Sequence, residues 1–190
     1  MITLTTERLI LRPLTLDDAE AAFEWTGDER VAKYMIYSTH ESVETTKEWL
    51  RSIKPSENVF GFVRRSDGKL IGSGGINLKE DGFWEFGYNF RYDCWGQGYA
   101  TEASKAMIEY VRSKYGNIRL RSECAVENTA SAHVIEKCGL VFKEYGEYSS
   151  YDGKKLLRLK FTKAGNIYDK THCYVQIKRS RRQKRVRKRC

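Results

Sequence analysis

The pattern of apolar and polar residues in the first half of the chain predicts one strand, two helices and three further strands. Residues 6–15, TERLILRPLT, alternate branched apolar with polar positions, as a half-buried strand does. Asp17 and Ser42 each precede apolar residues at helical spacing and are suitable N-caps for the two helices. Two strand-like runs that meet at the turn SDGK predict a hairpin, and residues 83–92, FWEFGYNFRY, predict the next strand.

The second half of the chain predicts helices placed between strands. Apolar residues recur at helical spacing from Ala103 to Val111, and Gly116 is a suitable end for this helix. The segment IRLRSECAV predicts a half-buried strand, Asn128 can cap a helix that ends at Gly139, and two strands follow around the turn DGK. This order predicts an α/β fold, with a mixed, mostly antiparallel sheet of about seven strands flanked by about four helices.

Charge divides the 190-residue chain into a body and a tail. Residues 178–190 contain nine Lys and Arg and no acid, and the other 25 Lys and Arg balance the 25 Asp and Glu. A block of like charge repels itself, so we expect a disordered polybasic tail over 178–190, a loose extension over 164–177 and one folded domain over 1–163. The tail could contact RNA or the ribosome weakly, or be a solvated extension without a role.

Composition excludes several classes of protein. The chain has no run of 18 apolar residues and no signal-peptide pattern, and its tail lacks the large apolar residues of a membrane anchor, so we expect a cytoplasmic protein without membrane contact. Its five cysteines are odd in number and include no C-x-x-C pair, and its three histidines lack metal-binding spacing. We therefore expect neither a disulfide framework nor a metal site.

A glycine-rich stretch, CWGQGYATE at residues 94–102, lies between a predicted strand and a predicted helix. The first amides of a helix have no partner within the helix and attract anions, and glycine lets a phosphate come close to the backbone. The spacing G-x-G-x-A matches neither the dinucleotide fingerprint nor the P-loop. On its own the stretch is as compatible with a plain turn as with a pyrophosphate site.

Three further segments give the glycine stretch a context. The segment before it is EFGYNF, and the next strand-to-helix junction has the sequence ENTASAHVIEKCGL. The third segment, near the start of the chain, is TTERLILRPLTLDDAEAAFEW. Together, in this order and over residues 2–162, these segments strongly resemble the GCN5-related N-acetyltransferases (GNAT), in particular the branch of the ribosomal-protein N-terminal acetyltransferases. The resemblance implies a central sheet that is splayed in the middle.

The resemblance also implies acetyl-CoA as co-substrate. It assigns the pyrophosphate to the glycine loop and the pantetheine arm to a gap beside the preceding strand, where the strand backbone pairs with it, and Asn128 matches an asparagine that contacts this arm. The cofactor-binding residues expected on this basis are Tyr88, Asn89, Phe90, Trp95, Gly96, Gln97, Gly98, Tyr99, Ala100, Thr101 and Asn128. Trp95 stands where many members have Arg or Gln, although an aromatic residue is usual in this branch.

The resemblance suggests two catalytic residues. Many members have a tyrosine as general acid seven residues after the asparagine, but that residue here is Ile135, and Ser131 matches a serine that can replace the tyrosine in this branch. Glu85 matches a glutamate assigned as base, and its apolar sequence neighbours could raise its pKa. The alternative for Glu85 is a solvated strand residue, and the alternative for Ser131 is a small helix residue that lets the cofactor approach closely. A backbone N–H near Phe90 is the candidate to hold the oxyanion.

The acceptor amine has the least support in the sequence. The first helices and the loop between the last strands line its entrance in the family, and the matching residues are Tyr34, Met35, Tyr37, Tyr148 and Tyr151. The expected acceptor is a protein N-terminus, with a small amine such as a polyamine or an aminoglycoside as the alternative. A cofactor-binding module without turnover is a third interpretation, and members of this branch are often monomers or homodimers.

Overall fold

In the computed structural model, residues 2–54, 58–150, 153, 155–163 and 176–178 are described, with backbone alone for 148, 155–157, 159, 163 and 176–178. The strands are β1 (Thr3–Thr5), β2 (Leu9–Arg12), β3 (Val59–Arg64), β4 (Leu70–Leu78), β5 (Phe83–Phe90), β6 (Arg119–Ala125), β7 (Val141–Ser149), β8 (Lys155–Lys163) and β9 (Gln176–Lys178). The helices are α1 (Ala19–Thr26), α2 (Glu29–Ala32), α3 (Val43–Ser52), α4 (Tyr99–Tyr115) and α5 (Thr129–Lys137). Short 3-10 turns cover Leu16–Asp18 and Tyr92–Cys94.

The described strands form one sheet in the order β7-β8-β6-β5-β4-β3-β2-β1-β9. Of these pairs, only β5 with β6 is parallel. The predicted α/β fold with a mixed, mostly antiparallel sheet is thus confirmed.

The described part has two more strands than the roughly seven expected from the pattern. The first predicted strand begins too early, because residues 6–8 form a turn in which the Thr6 N–H donates to the Leu9 carbonyl at 2.9 Å. That turn separates β1 from β2. The other addition is β9, which pairs with β1 and crosses the expected boundary between the loose extension (164–177) and the tail (178–190).

Capping residues explain where the helices begin and end. Ser42 Oγ accepts from the Thr45 N–H at 3.3 Å and caps α3, as predicted. The predicted Asp17 cap is wrong by one or two residues. Thr15 is the N-cap of the 3-10 turn, and Asp18 is the residue before α1. Asp18 is buried and forms an ion pair with Arg12 at 2.6 Å. A short helix, α2, precedes α3, and Asp28 caps it by accepting from the Arg30 N–H.

Helices cover both faces of the sheet. One face carries the main core, in which Met107 and Val111 of α4 and Ile135 of α5 pack against Phe86 and Leu120. The other face has a smaller cluster in which Ala22 and Trp25 of α1 meet Val31 and Leu70. Full burial of such side chains contributes about 1.5–3 kcal/mol each, so the sheet is held firmly from both sides.

The middle of the sheet opens between β5 and β6. These parallel strands pair only where Phe83–Glu85 lies opposite Arg119–Arg121. Beyond Glu85, β5 stays paired with β4 as far as Phe90, whereas β6 stays paired with β8 as far as Ala125. The predicted splay is therefore present, and we call the opening the β5–β6 gap.

Candidate active site

The backbone of β5 directs alternate residues into the gap. The Phe83 carbonyl accepts from Lys79, on the β4 side, and the Arg91 N–H donates to the Ile71 carbonyl. The pairing of β5 with β4 has no register shift between Phe83 and Arg91. The backbone N–H and C=O groups of the odd-numbered residues of β5 therefore bond to β4, and those of the even-numbered residues point away from β4. The N–H and C=O groups of Tyr88 and Phe90 therefore face the gap, where an extended ligand can pair with them.

The Phe90 end of β5 is fixed by Trp95. The indole Nε1–H donates to the Phe90 carbonyl at 2.9 Å, and the ring lies 5.1 Å from that of Tyr92. Trp95 is 42% exposed, so one side of the indole remains open to solvent at the rim of the gap.

The glycine stretch forms a tight turn into α4. Gly96 and Gly98 have φ angles of 73° and 83°, and Gly98 is the N-cap of the 17-residue helix. Only glycine adopts this left-handed region without strain. The N–H groups of Tyr99, Ala100 and Thr101 lie in the first turn of α4, where they have no carbonyl to bond within the helix. The arrangement supports an anion site.

Arg8 completes the surroundings of this turn, and sequence reasoning missed it. Its guanidinium donates to the Gln97 carbonyl at 2.9 Å, pairs with Glu102 at 2.7 Å and lies 4.6 Å above the Tyr99 ring. The Gln97 side chain instead turns back to donate to the Asp93 carbonyl. Arg8 thus brings positive charge to the turn from 89 residues away, a contact that no local pattern could reveal.

The first turn of α5 places Ser131 beside Tyr88. Asn128 Oδ1 accepts from the Ser131 N–H at 3.0 Å, which confirms the predicted cap. The Ser131 hydroxyl lies 3.0 Å from the Tyr88 hydroxyl, and burial raises the pKa of Tyr88 well above its usual value. Ile135, at the position of the family tyrosine, is 1% exposed and packs in the core.

Glu85 lies on the opposite face of β5 from its apolar neighbours. Trp84 and Phe86 point into the core, whereas Glu85 forms ion pairs with Arg121 at 2.9 Å and Lys79 at 3.2 Å. The expectation of an apolar environment for this carboxylate is therefore wrong, because alternation along a strand sends adjacent side chains to opposite faces. The two cations were not foreseen from the sequence.

One cavity of about 660 Å³ joins these groups. Its walls include Glu85, Tyr88, Asn89, Asn128 and Ser131 from the central strands and α5, together with Tyr34, Met35 and Tyr37 from the loop after α2. The structure thus brings the candidate catalytic residues and three of the five expected acceptor residues to one cavity. The Tyr148 side chain and Tyr151 lie outside the described part.

Asn89 uses its side chain on the acceptor side of the cavity. Its Oδ1 accepts from Ser73 Oγ at 2.8 Å, and its Nδ2 donates to the Tyr37 hydroxyl at 3.0 Å. Burial raises the pKa of Tyr37 to about 12, although the bond from Asn89 opposes this rise. Asn89 therefore fixes the position of Tyr37 through its side chain, whereas its backbone bonds to β4 and not to the gap, which corrects the expected pairing of the Asn89 backbone with the cofactor.

Two further cavity residues were missed by sequence reasoning. His40 Nδ1 lies 2.9 Å from Thr46 Oγ1, and burial lowers the pKa of this imidazole, which favours its neutral form. Arg158 is 6% exposed, lines the cavity and has a guanidinium nitrogen 3.5 Å from the Tyr34 carbonyl. Neither residue belongs to a motif that would have identified it.

Other chemistry receives no support from the described residues. Among them, no group of three or more His, Cys, Asp or Glu side chains is placed to hold a metal ion, and no helix is long and apolar enough to cross a membrane. Cys124 is buried near Ser131, and burial raises its pKa to about 11, so it is a poor nucleophile.

Comparison with known proteins gives consistent matches over most of the chain. The family model described as the acetyltransferase (GNAT) domain matches residues 8–141. An uncharacterized N-acetyltransferase, p20, of Bacillus licheniformis is 30% identical over 162 residues, which cover 82% of this chain and 90% of that protein. The FsC-acetyl coenzyme A-N(2)-transacetylase of Aspergillus fumigatus is 28% identical, over 75% of this chain and 66% of that protein.

Solved structures share the fold. A GNAT-family acetyltransferase of Bacillus anthracis superimposes with a TM-score of 0.76 at 24% identity, covering 85% of this chain and 98% of that one. A structure described as a proposed ribosomal-protein-serine acetyltransferase of Vibrio cholerae has a TM-score of 0.71 at 21% identity, with coverage of 85% and 97%.

Proposed function

Because the chain belongs to the GNAT family and is therefore an acetyl-CoA-dependent N-acetyltransferase, we propose that its acceptor is the N-terminal amine of a protein, of the ribosomal-protein type. The observation that carries the proposal is the single cavity in which the β5–β6 gap meets Glu85 and the aromatic loop at Tyr34–Tyr37. An open, aromatic-lined cavity of this kind suits the end of a peptide. The Vibrio cholerae neighbour gives the proposal further support.

The glycine turn and the gap fit the two ends of acetyl-CoA. The turn offers the first-turn amides of α4 to a pyrophosphate, and a Cβ on Gly96 would meet no atom within 4 Å, which leaves room beside the backbone. Arg8 lies at the same place, ion-paired with Glu102. The Tyr88 backbone groups would pair with the pantetheine arm, whose thioester supplies the acetyl group.

Direct attack in a ternary complex requires three tasks of the protein. Glu85 accepts the proton of the amine, directly or through water, and its ion pairs with Arg121 and Lys79 hold the carboxylate in position. The Phe90 N–H, which faces the gap, holds the developing oxyanion. Ser131, at the other wall of the cavity, donates a hydrogen bond to the leaving sulfur.

A small amine is the alternative acceptor. The Aspergillus fumigatus relative is named as an N(2)-transacetylase, and a slot lined by Tyr34 and Tyr37 would also hold a flat or aliphatic amine. The third interpretation, a cofactor-binding module without turnover, requires that Glu85 and Ser131 take no part in chemistry.

Thiol release from acetyl-CoA separates these functions. We expect turnover with peptides that begin with a free Ala or Ser, and none with the same peptides blocked at the N-terminus and carrying an internal lysine. Turnover with a polyamine or an aminoglycoside alone would replace the peptide acceptor by a small amine. Tight acetyl-CoA binding without turnover of any amine would support the binding module and refute the enzyme mechanism.

A further inference from the structure

Two hydroxyl groups from distant parts of the chain meet at the wall of the cavity. Tyr88 on β5 and Ser131 on α5 are 43 residues apart, and their oxygens are separated by 3.0 Å. Both residues line the same cavity as Glu85 and Asn128. The resemblance assigned Tyr88 only a backbone role, so its side-chain contact with Ser131 has no place yet in the mechanism.

The relative acidity of the two hydroxyl groups favours one direction for this hydrogen bond, from Tyr88 to Ser131. A phenol is much more acidic than an aliphatic alcohol and is the better donor, whereas the serine oxygen is the better acceptor. When Tyr88 donates to Ser131 Oγ, the serine hydrogen must point elsewhere. Asn128 Oδ1 already accepts from the Ser131 N–H and fixes the serine backbone in the first turn of α5.

We propose, on the basis of the function above, that Tyr88 is a positioning residue for acetyl transfer: it donates to Ser131 Oγ and thereby directs the Ser131 O–H to the sulfur that leaves the acetyl group. The Cys124 thiol beside Ser131 is a competing partner for the serine hydrogen, and the bond from Tyr88 limits the rotation of the serine hydroxyl. Tyr88 stays protonated in this role, because burial opposes formation of its phenolate.

The proposed step moves no proton from the hydroxyl pair. The bond from the amine nitrogen to the acetyl carbon forms, and the bond from that carbon to sulfur breaks with its electron pair on sulfur. The proton of the attacking amine passes to Glu85 or water. The sulfur leaves as a thiolate stabilised by the Ser131 O–H and the positive end of α5, and it takes its proton from solvent.

The first test is a double-mutant cycle on turnover. Tyr88→Phe and Ser131→Ala should each lower kcat by roughly 10- to 100-fold at unchanged affinity for coenzyme A, and the double variant should be no slower than the single ones. Tyr110→Phe, which removes a hydroxyl from another buried tyrosine, should turn over like the wild type. Wild-type kcat in Tyr88→Phe, or multiplicative losses in the double variant, would overturn the proposal.

The second test does not depend on turnover. The ultraviolet absorbance of the thiolate reports the pKa of the thiol of bound coenzyme A, which a directed hydroxyl lowers. We expect this pKa to be about one unit higher in Tyr88→Phe and in Ser131→Ala than in the wild type. Equal values in wild type and Tyr88→Phe would overturn the proposal. A wild type that shows the shift but acetylates no amine would refute the proposed function alone.

Discussion

Adjacent side chains of β5 point to opposite faces of the sheet, and this alternation separates the two halves of the reaction. Glu85 and Asn89 face the acceptor side, where Asn89 holds Tyr37, while Tyr88 faces α5 and Ser131. The proposed proton acceptor and the groups proposed to surround the leaving sulfur therefore approach the β5–β6 gap from different sides. Replacement of Glu85 tests this arrangement most directly.

Glu85→Gln should lower kcat by about 100-fold, because the amide cannot accept the amine proton, and leave acetyl-CoA affinity almost unchanged. Asp81→Asn is the matched control, because Asp81 pairs with the same Arg121 at 2.5 Å and is not at the cavity wall. Steady-state kinetics over a range of pH would measure both variants. Wild-type rates in Glu85→Gln at every pH would exclude Glu85 from the mechanism.

Features set by neighbouring residues, such as this alternation, were predictable from the sequence, whereas contacts between distant residues were not. Gly98, Gly116 and Asn128 act over one to four residues, so the limits of α4 and α5 were predictable. Period two also predicts that Glu85 faces away from Trp84, although its sequence neighbours suggested apolar surroundings. The Arg8 and Ser131 contacts join residues far apart in the chain, and only the folded sheet brings them together.

The role of the glycine turn before α4 can be tested by substitution, because α4 also has a glycine with a positive φ angle at its other end. Gly98 and Gly116 are its two caps, and both have a positive φ. A side chain costs about 1–2 kcal/mol of stability at Gly98, which is left-handed helical, and about 1–3 kcal/mol at Gly116, whose ψ of −130° lies in a region that only glycine readily adopts. Only Gly98 lies beside the amides proposed to bind the pyrophosphate.

Gly98→Glu should therefore abolish coenzyme A binding, since it places negative charge where the pyrophosphate would lie. Gly116→Glu should be destabilised at least as much as Gly98→Glu, because of its backbone angles, and should still bind coenzyme A like the wild type. Calorimetric titration gives the affinity of each variant, and thermal unfolding shows whether each is folded. A folded Gly98→Glu variant with unchanged affinity would refute the assignment of this turn.

The charge of the whole molecule is uneven. The 190 residues carry a formal charge of +9, and the nine cations of residues 178–190 account for all of it. Residues 179–190 lie outside the described part, and the resemblance does not extend to them. We propose that this segment contacts RNA through its charge and takes no part in acetyl transfer.

Comparing the 190-residue chain with a variant that lacks residues 179–190 tests this proposal. The full chain should bind single-stranded RNA with an affinity that falls steeply with salt, with a logarithmic slope of up to about −6 if all eight cations of 179–190 contact phosphates. The deletion should remove this binding and leave kcat/KM for a short acceptor peptide unchanged, because the cavity is built from residues 26–158. Replacing the segment's Lys and Arg with Gln is a second variant, which preserves chain length. RNA binding that survives both changes would place the contact on the folded body, whose formal charge is zero, and would contradict a role for the tail.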